Sequence, residues 1–367
     1  MKTFKRIIAI VLSALMLLSV CVIGASAEET AGTFSLVSYN VAGLPNWKAM
    51  IGKDDTDIPS NQAQIGKQLN QKNADIILTQ EDFGYHDSLV GELTGYRYKT
   101  NHTGGVPGGD GMNIYAHKAI YNETRITWQK AYGVIDDGAD EMTPKGILYA
   151  VIEVGDGVFV DFYDIHADAY GDAGSKEARR DNFRQLAELI ASNKTGRPVI
   201  VTGDFNISGH HSDDDGFTEI LIEGAGLKDA WTELFNGGDY YDFSGPAEIY
   251  GTSQESYWGV WDSVEKYLYK DGDNVSIKPE TFLYEWYRDS ESGESLSDHA
   301  SAFAIFSYET DASFVPGNKA DLAVVKANSF NVLVNRITYI IKDLVKLMSH
   351  LGDLTKYING DAFVDAE

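Results

Sequence analysis

From about residue 33 to residue 308 the chain alternates short apolar runs with polar turns. Residues 34–39, 75–79, 147–154, 158–165, 198–202 and 302–308 are short and rich in β-branched and aromatic side chains, and they predict strands. Two stretches change period. Residues 65–72 are short and amphipathic, and residues 176–192 place Phe183, Leu186, Leu189 and Ile190 on one helical face. Strands mixed with helices and many hairpin signals predict two sheets with helices outside them. No internal repeat or low-complexity segment interrupts this pattern. Pattern is lost over 309–319, where Pro316-Gly317 marks a linker. Beyond it Phe330, Leu333, Ile337, Ile340, Leu344, Leu347, Leu351 and Leu354 recur at alternating spacings of three and four, which predicts an amphipathic helical tail over 320–367. Docking on the main domain, self-association and attachment to a surface are all open to it.

The first 27 residues have a different character. Lys2, Lys5 and Arg6 precede an apolar stretch from 7 to 23, and Ala25-Ser26-Ala27 ends it with small residues. This is the layout of a secretory signal peptide cleaved after Ala27. The run is short for a membrane anchor, which needs about 20 residues. Val20 is a poor residue to precede a lipidated Cys21. Cys21 is the one cysteine, so the expected mature chain has no disulfide partner, no cysteine-ligated zinc and no thiol nucleophile. Loss of the leader removes three basic residues and no acidic ones, taking the net charge from −25 to −28. A chain this acidic repels polyanions at long range, which weighs against a nucleic-acid substrate.

Six segments carry the chemistry. They are Ser38-Tyr39-Asn40, Thr79-Gln80-Glu81, Asp164-Ile165-His166, Gly203-Asp204-Phe205-Asn206, Glu265-Lys266-Tyr267-Leu268-Tyr269 and Ser297-Asp298-His299. In five of them a polar residue is expected to end or follow a strand, while Glu265 leads one. A strand end can hold a polar side chain at a fixed place in a shared cleft. Together these residues suit attack of water on phosphorus. Glu81 and Asp298 are hard oxygen ligands for a cation. His166, Asn40 and Asn206 can donate to phosphoryl oxygens. His299 can take a proton from water if Glu265 orients its ring. Asp204 can position the water or assist the leaving oxygen. Taken alone, each Asn or Asp after a strand reads as a turn residue; the ordered set favours function. Asp168 is open between a supporting role behind His166 and a loop. The run from His210 to Asp215 reads as a solvated loop, as does Gly104-Gly105-Val106-Pro107-Gly108-Gly109, which lacks the ending of a phosphate-binding P-loop.

The ordered set Asn40, Glu81, His166, Gly203-Asp204-Phe205-Asn206 and Ser297-Asp298-His299 resembles the endonuclease/exonuclease/phosphatase superfamily over residues 28–308. The resemblance implies an α+β fold, a four-layer α/β/β/α sandwich of two mixed sheets. It implies one Mg²⁺, or Mn²⁺ or Ca²⁺ in its place, and in-line attack by water. Carried over, Glu81 is the metal ligand and His299 the base with Asp298 beside it. His166, Asn40, Asp204 and Asn206 then bind phosphate or the transition state. Where the family has Asp to orient the base, this chain has Glu265, with Asp262 as the substitute. Gly109-Asp110-Gly111-Met112-Asn113 and Thr143-Pro144-Lys145-Gly146 are similar to the sphingomyelinase-like branch. Aromatic clusters at 240–243 and 257–261 offer contact with a lipid interface or core packing. The expected substrate is therefore a phosphodiester of the lipid-headgroup kind with peripheral membrane contact. A secreted nuclease and a non-catalytic binding module or toxin subunit are the alternatives.

Overall fold

The structure is a computed structural model and describes residues 30–45, 56–133, 137–207, 215–240 and 264–323. The leader, the whole of the 208–214 and 241–263 stretches (with Asp262 and the aromatic cluster at 257–261) and the tail from 324 onward lie outside the described residues.

Along the chain run β1 (Ala31–Asn40), helix α1 (Ile58–Lys72), β2 (Ile76–Gln80), α2 (His86–Glu92), β3 (Tyr98–Lys99), β4 (Asn113–Ala116), β5 (Ile120–Thr127), β6 (Gly146–Gly155) and β7 (Val158–His166). There follow α3 (Ala173–Ser192), β8 (Val199–Asp204), a π-helical turn (Phe217–Gly224), β9 (Lys228–Asp229), α4 (Ala230–Phe235), β10 (Glu265–Lys270), β11 (Val275–Glu285) and β12 (Ser301–Thr310). One sheet has the order β11-β12-β1-β2-β4-β3 and the other β5-β6-β7-β8-β10-β9. Both are mixed, with β1 parallel to β2 and β7 parallel to β8.

Period-two alternation assigns the layers. In β1, Phe34 and Leu36 join a core with Leu148, Val160, Phe162 and Ile200 of the facing sheet, while Val37 and Tyr39 pack on Ile65, Leu69 and Leu89 of α1 and α2. In β7, Val160 and Phe162 face the first sheet, and Tyr163 and Ile165 pack on Phe183, Leu186 and Ile190 of α3. The result is the expected four-layer sandwich.

Both helices begin earlier than their apolar faces predict. Asp57 caps α1 by accepting from Ser60 N, with Pro59 in the first turn, and Asp172 caps α3 by accepting from Gly174 N and Ser175 N. The caps and not the apolar stripe set those starts. Ser297-Asp298-His299 does not end a strand as expected: it leads into β12. Asp215 departs from the solvated-loop reading, since it is buried and paired with Arg179 at 3.1 Å. The 104–109 segment is a loop, as read.

Candidate active site

Along the inward face of each central strand the side chains turn from apolar to polar in the same direction. β1 reads Phe34, Leu36, Ser38, Asn40, and β2 reads Ile76, Leu78, Gln80. β7 reads Val160, Phe162, Asp164, His166, and β8 reads Ile200, Thr202, Asp204. Register aligns these ends, because Asn40 pairs with Gln80, His166 with Asp204, and Asp204 with Glu265. The polar ends therefore meet at one mouth of the seam between the sheets.

At that mouth Asn40 Nδ2 donates to Glu81 Oε1 at 3.1 Å and to Asp204 Oδ2 at 3.0 Å. His166 Nε2 stands 3.4 Å from Asp204 Oδ2 and 3.9 Å from Glu81 Oε1. His299 Nε2 lies 4.0 Å from Asp204 Oδ2 on the other side, and its Nδ1 is 2.5 Å from Glu265 Oε1. Glu265, the first choice from sequence, thus stands against the His299 ring, while its substitute Asp262 lies outside the described residues. Ser297 ties the His299 segment to β1, donating its hydroxyl to Asn40 O at 2.8 Å while accepting from His299 N at 3.1 Å. Asn206 sits at the edge, with its Nδ2 donating to Ala167 O and its own N–H bonded to Asp204 Oδ1. Asp298 is the outlier. Its side chain is 80% exposed and 4.0 Å from His299 Nε2, so it faces solvent at the rim.

Local backbone explains two motif positions. A Cβ on Gly203 (φ 128°) would collide with the Ile165 carbonyl of the parallel neighbour, so only glycine lets β8 lie beside β7 there. Glu81 is itself left-handed at φ 57°, an uncommon state for a non-glycine residue and one that recurs at functional sites.

The charges are strongly coupled to burial. Burial, followed by the field of Asp298, pushes the Glu81 carboxyl up to about 7. Burial and then the nearby Lys145 cation hold His166 well below the usual histidine range, leaving a neutral ring. Burial opposes ionisation of Asp204, but the charges of His299 and Lys145 and the hydrogen bond from Asn40 outweigh it and keep the carboxyl low. Asp204 is thus held as an anion among its neighbours. Burial likewise opposes the charge on His299, yet Glu265 in contact with it raises the ring well above its ordinary value.

Sequence gave Lys145 and Gln80 no role at the site and left Asp168 open between support and loop. Lys145, buried just before β6, is paired with Asp140 and contributes positive charge toward Glu81 and Asp204. Its Thr143-Pro144-Lys145-Gly146 segment was a visible signal, read only for its likeness to one branch. One layer deeper, Gln80 Nε2 donates to Asp164 Oδ1 at 2.6 Å and to Ser38 Oγ at 3.3 Å. Asp168 is buried beyond the end of β7, accepts from Tyr132 N at 2.7 Å, and is pushed up to about 8 by burial and then by Asp140. It supports the loop behind His166. Tyr240, from the first aromatic cluster, is partly buried, donates to Glu233 and accepts from Asp229 N. It packs and hydrogen-bonds within the domain.

The sequence pattern of the Endonuclease/Exonuclease/phosphatase family matches residues 37–268. The chain belongs to this family. The matched span holds Asn40, Glu81, His166, Asp204, Asn206 and Glu265, while Asp298 and His299 lie beyond it and are brought in by the fold. A sphingomyelinase of Mycobacterium tuberculosis is 30% identical over 293 residues, which cover 77% of this chain and 54% of the relative. The chain thus spans about half the length of the curated relatives it matches. Among solved structures, D. rerio TDP2 complexed with single-strand DNA product superposes with a TM-score of 0.54 at 16% identity, covering 75% of this chain and 99% of that one. A Staphylococcus aureus beta toxin mutant with bound magnesium ions has a TM-score of 0.51 at 16% identity, covering 74% of this chain and 99% of the toxin. At such identities these two family neighbours attest the fold alone.

Proposed function

We propose that this protein is an exported, divalent-metal-dependent phosphodiesterase that hydrolyses a phospholipid headgroup ester of the sphingomyelin type. The observation that carries the reading is the His299–Glu265 pair facing Asp204, Asn40, His166 and Glu81 across one cleft. The 30% identity to a sphingomyelinase supports the lipid choice, as does the acidic charge. Export rests on the leader cleaved after Ala27, and peripheral membrane contact on the expected lipid substrate.

The donor set suits a hard dication. Glu81 is a largely enclosed, partly exposed carboxylate whose raised value marks a negative charge with too little compensation, and Asp298 at the rim adds a second oxygen ligand. Mg²⁺ held there would neutralise phosphate charge as it builds. The chain's own groups do the rest. His299 Nε2 takes a proton from the attacking water while Glu265 holds Nδ1–H and stabilises the imidazolium. Asp204, kept anionic, accepts from Asn40 and fixes the His166 and His299 rings on either side. Neutral His166 and the second Nδ2 hydrogen of Asn206 donate to the phosphoryl oxygens, and Asn40 joins them by exchanging its bond to Glu81 for one to phosphate while keeping its bond to Asp204. Water oxygen bonds to phosphorus, the bond to the lipid oxygen breaks, and that alkoxide takes up a proton. The products are the headgroup phosphate monoester and the lipid alcohol.

Purified full-length protein with Mg²⁺, compared on sphingomyelin, phosphatidylcholine, plasmid DNA and inositol phosphates, tests this. Release of choline phosphate that stops in EDTA is expected. Efficient plasmid nicking without choline phosphate would move the protein to the nuclease alternative, and silence on all four to a binding module.

A further inference from the structure

Asp82 follows Glu81 but has its own set of neighbours. Its Oδ2 accepts from Asn113 Nδ2 at 2.9 Å and from Tyr115 Oη at 2.5 Å, and it stands 2.9 Å from His86 Nδ1. Its Oδ1 is buried and has no hydrogen-bond partner, although the residue is only 1% exposed. A buried carboxylate oxygen left bare costs free energy and calls for a donor or a cation. The groups nearest by are imidazoles. The His102 ring stacks on His86 at 3.9 Å with 5° between planes, and its Nε2 is 3.1 Å from the Asp82 carbonyl oxygen. One ligand-capable atom from each of Asp82, His86 and His102 lies within 4.8 Å of the other two.

The three residues come from separate segments: the turn after β2, the first residue of α2, and the loop after β3. That loop lies close over the turn, since a Cβ on Gly105 would stand 3.5 Å from Gly84 Cα. On Gly84 itself a Cβ would meet nothing within 4 Å, which leaves an open approach beside the cluster, and both histidines are partly exposed. Two imidazoles and one carboxylate match the donor set of Zn²⁺ or a similar transition metal, with water completing four-coordination. They do not match Mg²⁺, which prefers oxygen donors throughout.

We propose that Asp82, His86 and His102 form a second metal site, for a transition-metal ion of the Zn²⁺ class, distinct from the Glu81 site. The ion fastens the loop after β3 onto the turn that carries Glu81.

Chelator-stripped full-length protein, saturated with Mg²⁺ and then dialysed against Zn²⁺, tests the site by metal analysis and by the absorption spectrum of a Co²⁺-substituted sample. One tightly held equivalent and a rise in Tm with Zn²⁺ are expected. His102→Ala and His86→Ala should each weaken Zn²⁺ binding at least tenfold, roughly the least that metal-site changes cost, and remove the Co²⁺ band. Glu81→Gln should keep both. Circular dichroism and retained Mg²⁺-supported turnover in His102→Ala, or in His102→Asn if the alanine variant misfolds, show that the loss is local. No retained Zn²⁺ in the wild type, equal retention in the histidine variants, or loss in Glu81→Gln would each overturn the proposal.

Discussion

The two ends of the seam between the sheets are built from the same strands and the same inward face, yet they do opposite work. At one end Phe34 stacks on Phe306 at 5.9 Å and meets Phe162 edge-on at 6.4 Å, and all three are buried. At the other end the strands that carry Phe34 and Phe162 present Asn40 and His166, with Asp204 beside them. Between them lies a transition layer of Ser38, Gln80, Asp164 and Thr202, fully buried and partly hydrogen-bonded. Alternation decides which way a side chain points, and position along the strand decides whether it stabilises or reacts. The apolar end gains free energy by burial. The polar end holds a carboxyl pushed to about 7 and a left-handed Glu81, both unfavourable to the folded state. A change at one end should therefore leave the property governed by the other end nearly untouched.

The largest separation is expected at the base. His299→Ala should lower turnover about a thousandfold or more, from the lost proton transfer together with lost orientation. Its Tm should stay within a few degrees of the wild type, because the ring is replaced in a partly exposed position. Glu81→Gln should abolish metal-supported turnover with the same indifference in Tm. Paired activity and calorimetry check both. Collapse of the fold in either variant would show that the polar end also holds the sandwich together.

The mirror experiment acts on the apolar end. Phe34→Ala removes a buried ring packed on two aromatic neighbours, Phe162 and Phe306, and should cost about 3–5 kcal/mol of stability. Activity per folded molecule, measured well below the lowered Tm, should be unchanged. If turnover falls with the fold intact, then packing at the far end tunes the site and the two ends are not independent.

A smaller effect concerns pH. The neutral ring of His299 is the competent base, so the rate falls as pH drops through its value. Since Glu265 raises that value well above the ordinary one despite burial, the acid limb of kcat at saturating metal should lie above pH 6.5, where an unperturbed histidine titrates. Glu265→Gln removes the anion, so the limb should shift to lower pH while the maximal rate falls through looser orientation. A pH–rate profile with an unmoved limb would separate Glu265 from the base.

Much of this division was legible in the sequence. Strands show their period of two locally, and Gly203-Asp204-Phe205-Asn206 or Ser297-Asp298-His299 carry their chemistry in adjacent residues. The choice between Glu265 and Asp262 was not local, since it depends on β10 pairing Glu265 with Asp204 across the sheet. Lys145 escaped for the same reason, since a lone lysine before a strand acquires meaning only when Asp140 and Glu81 stand near it; Asp168 was named but stayed open between support and loop. The Asp82–His86–His102 cluster spans three segments with no regular spacing, so nothing in the linear pattern unites it. Asp298 shows the converse. It belongs to a strong motif, yet its side chain faces solvent.

The smallest expected effect is also the test of where the polar end stops. Asp168 lies two residues beyond His166, with Oδ2 accepting from Tyr132 N and a buried Oδ1 without a partner. Its carboxyl is raised to about 8, so the folded protein prefers the protonated form while the unfolded chain ionises near pH 4. The folded state then binds the extra proton between those values. Stability contributed by this group is complete below about pH 4 and is lost as pH rises toward 8. Asp168→Asn imitates the protonated acid at every pH and keeps an oxygen for Tyr132 N. It should match the wild type near pH 4 and exceed it by about 1–2 kcal/mol at pH 8, a figure kept below the full span of the shift because the carboxyl titrates together with nearby Asp140. Denaturant melts at the two pH values measure the difference directly. Turnover should change by no more than a few fold, since Asp168 supports the loop and does not face the phosphate. Destabilisation at pH 8 would mean that the carboxylate is ionised and held by Arg179 or Lys145. A large loss of turnover at unchanged stability would extend the reacting end of the seam past His166.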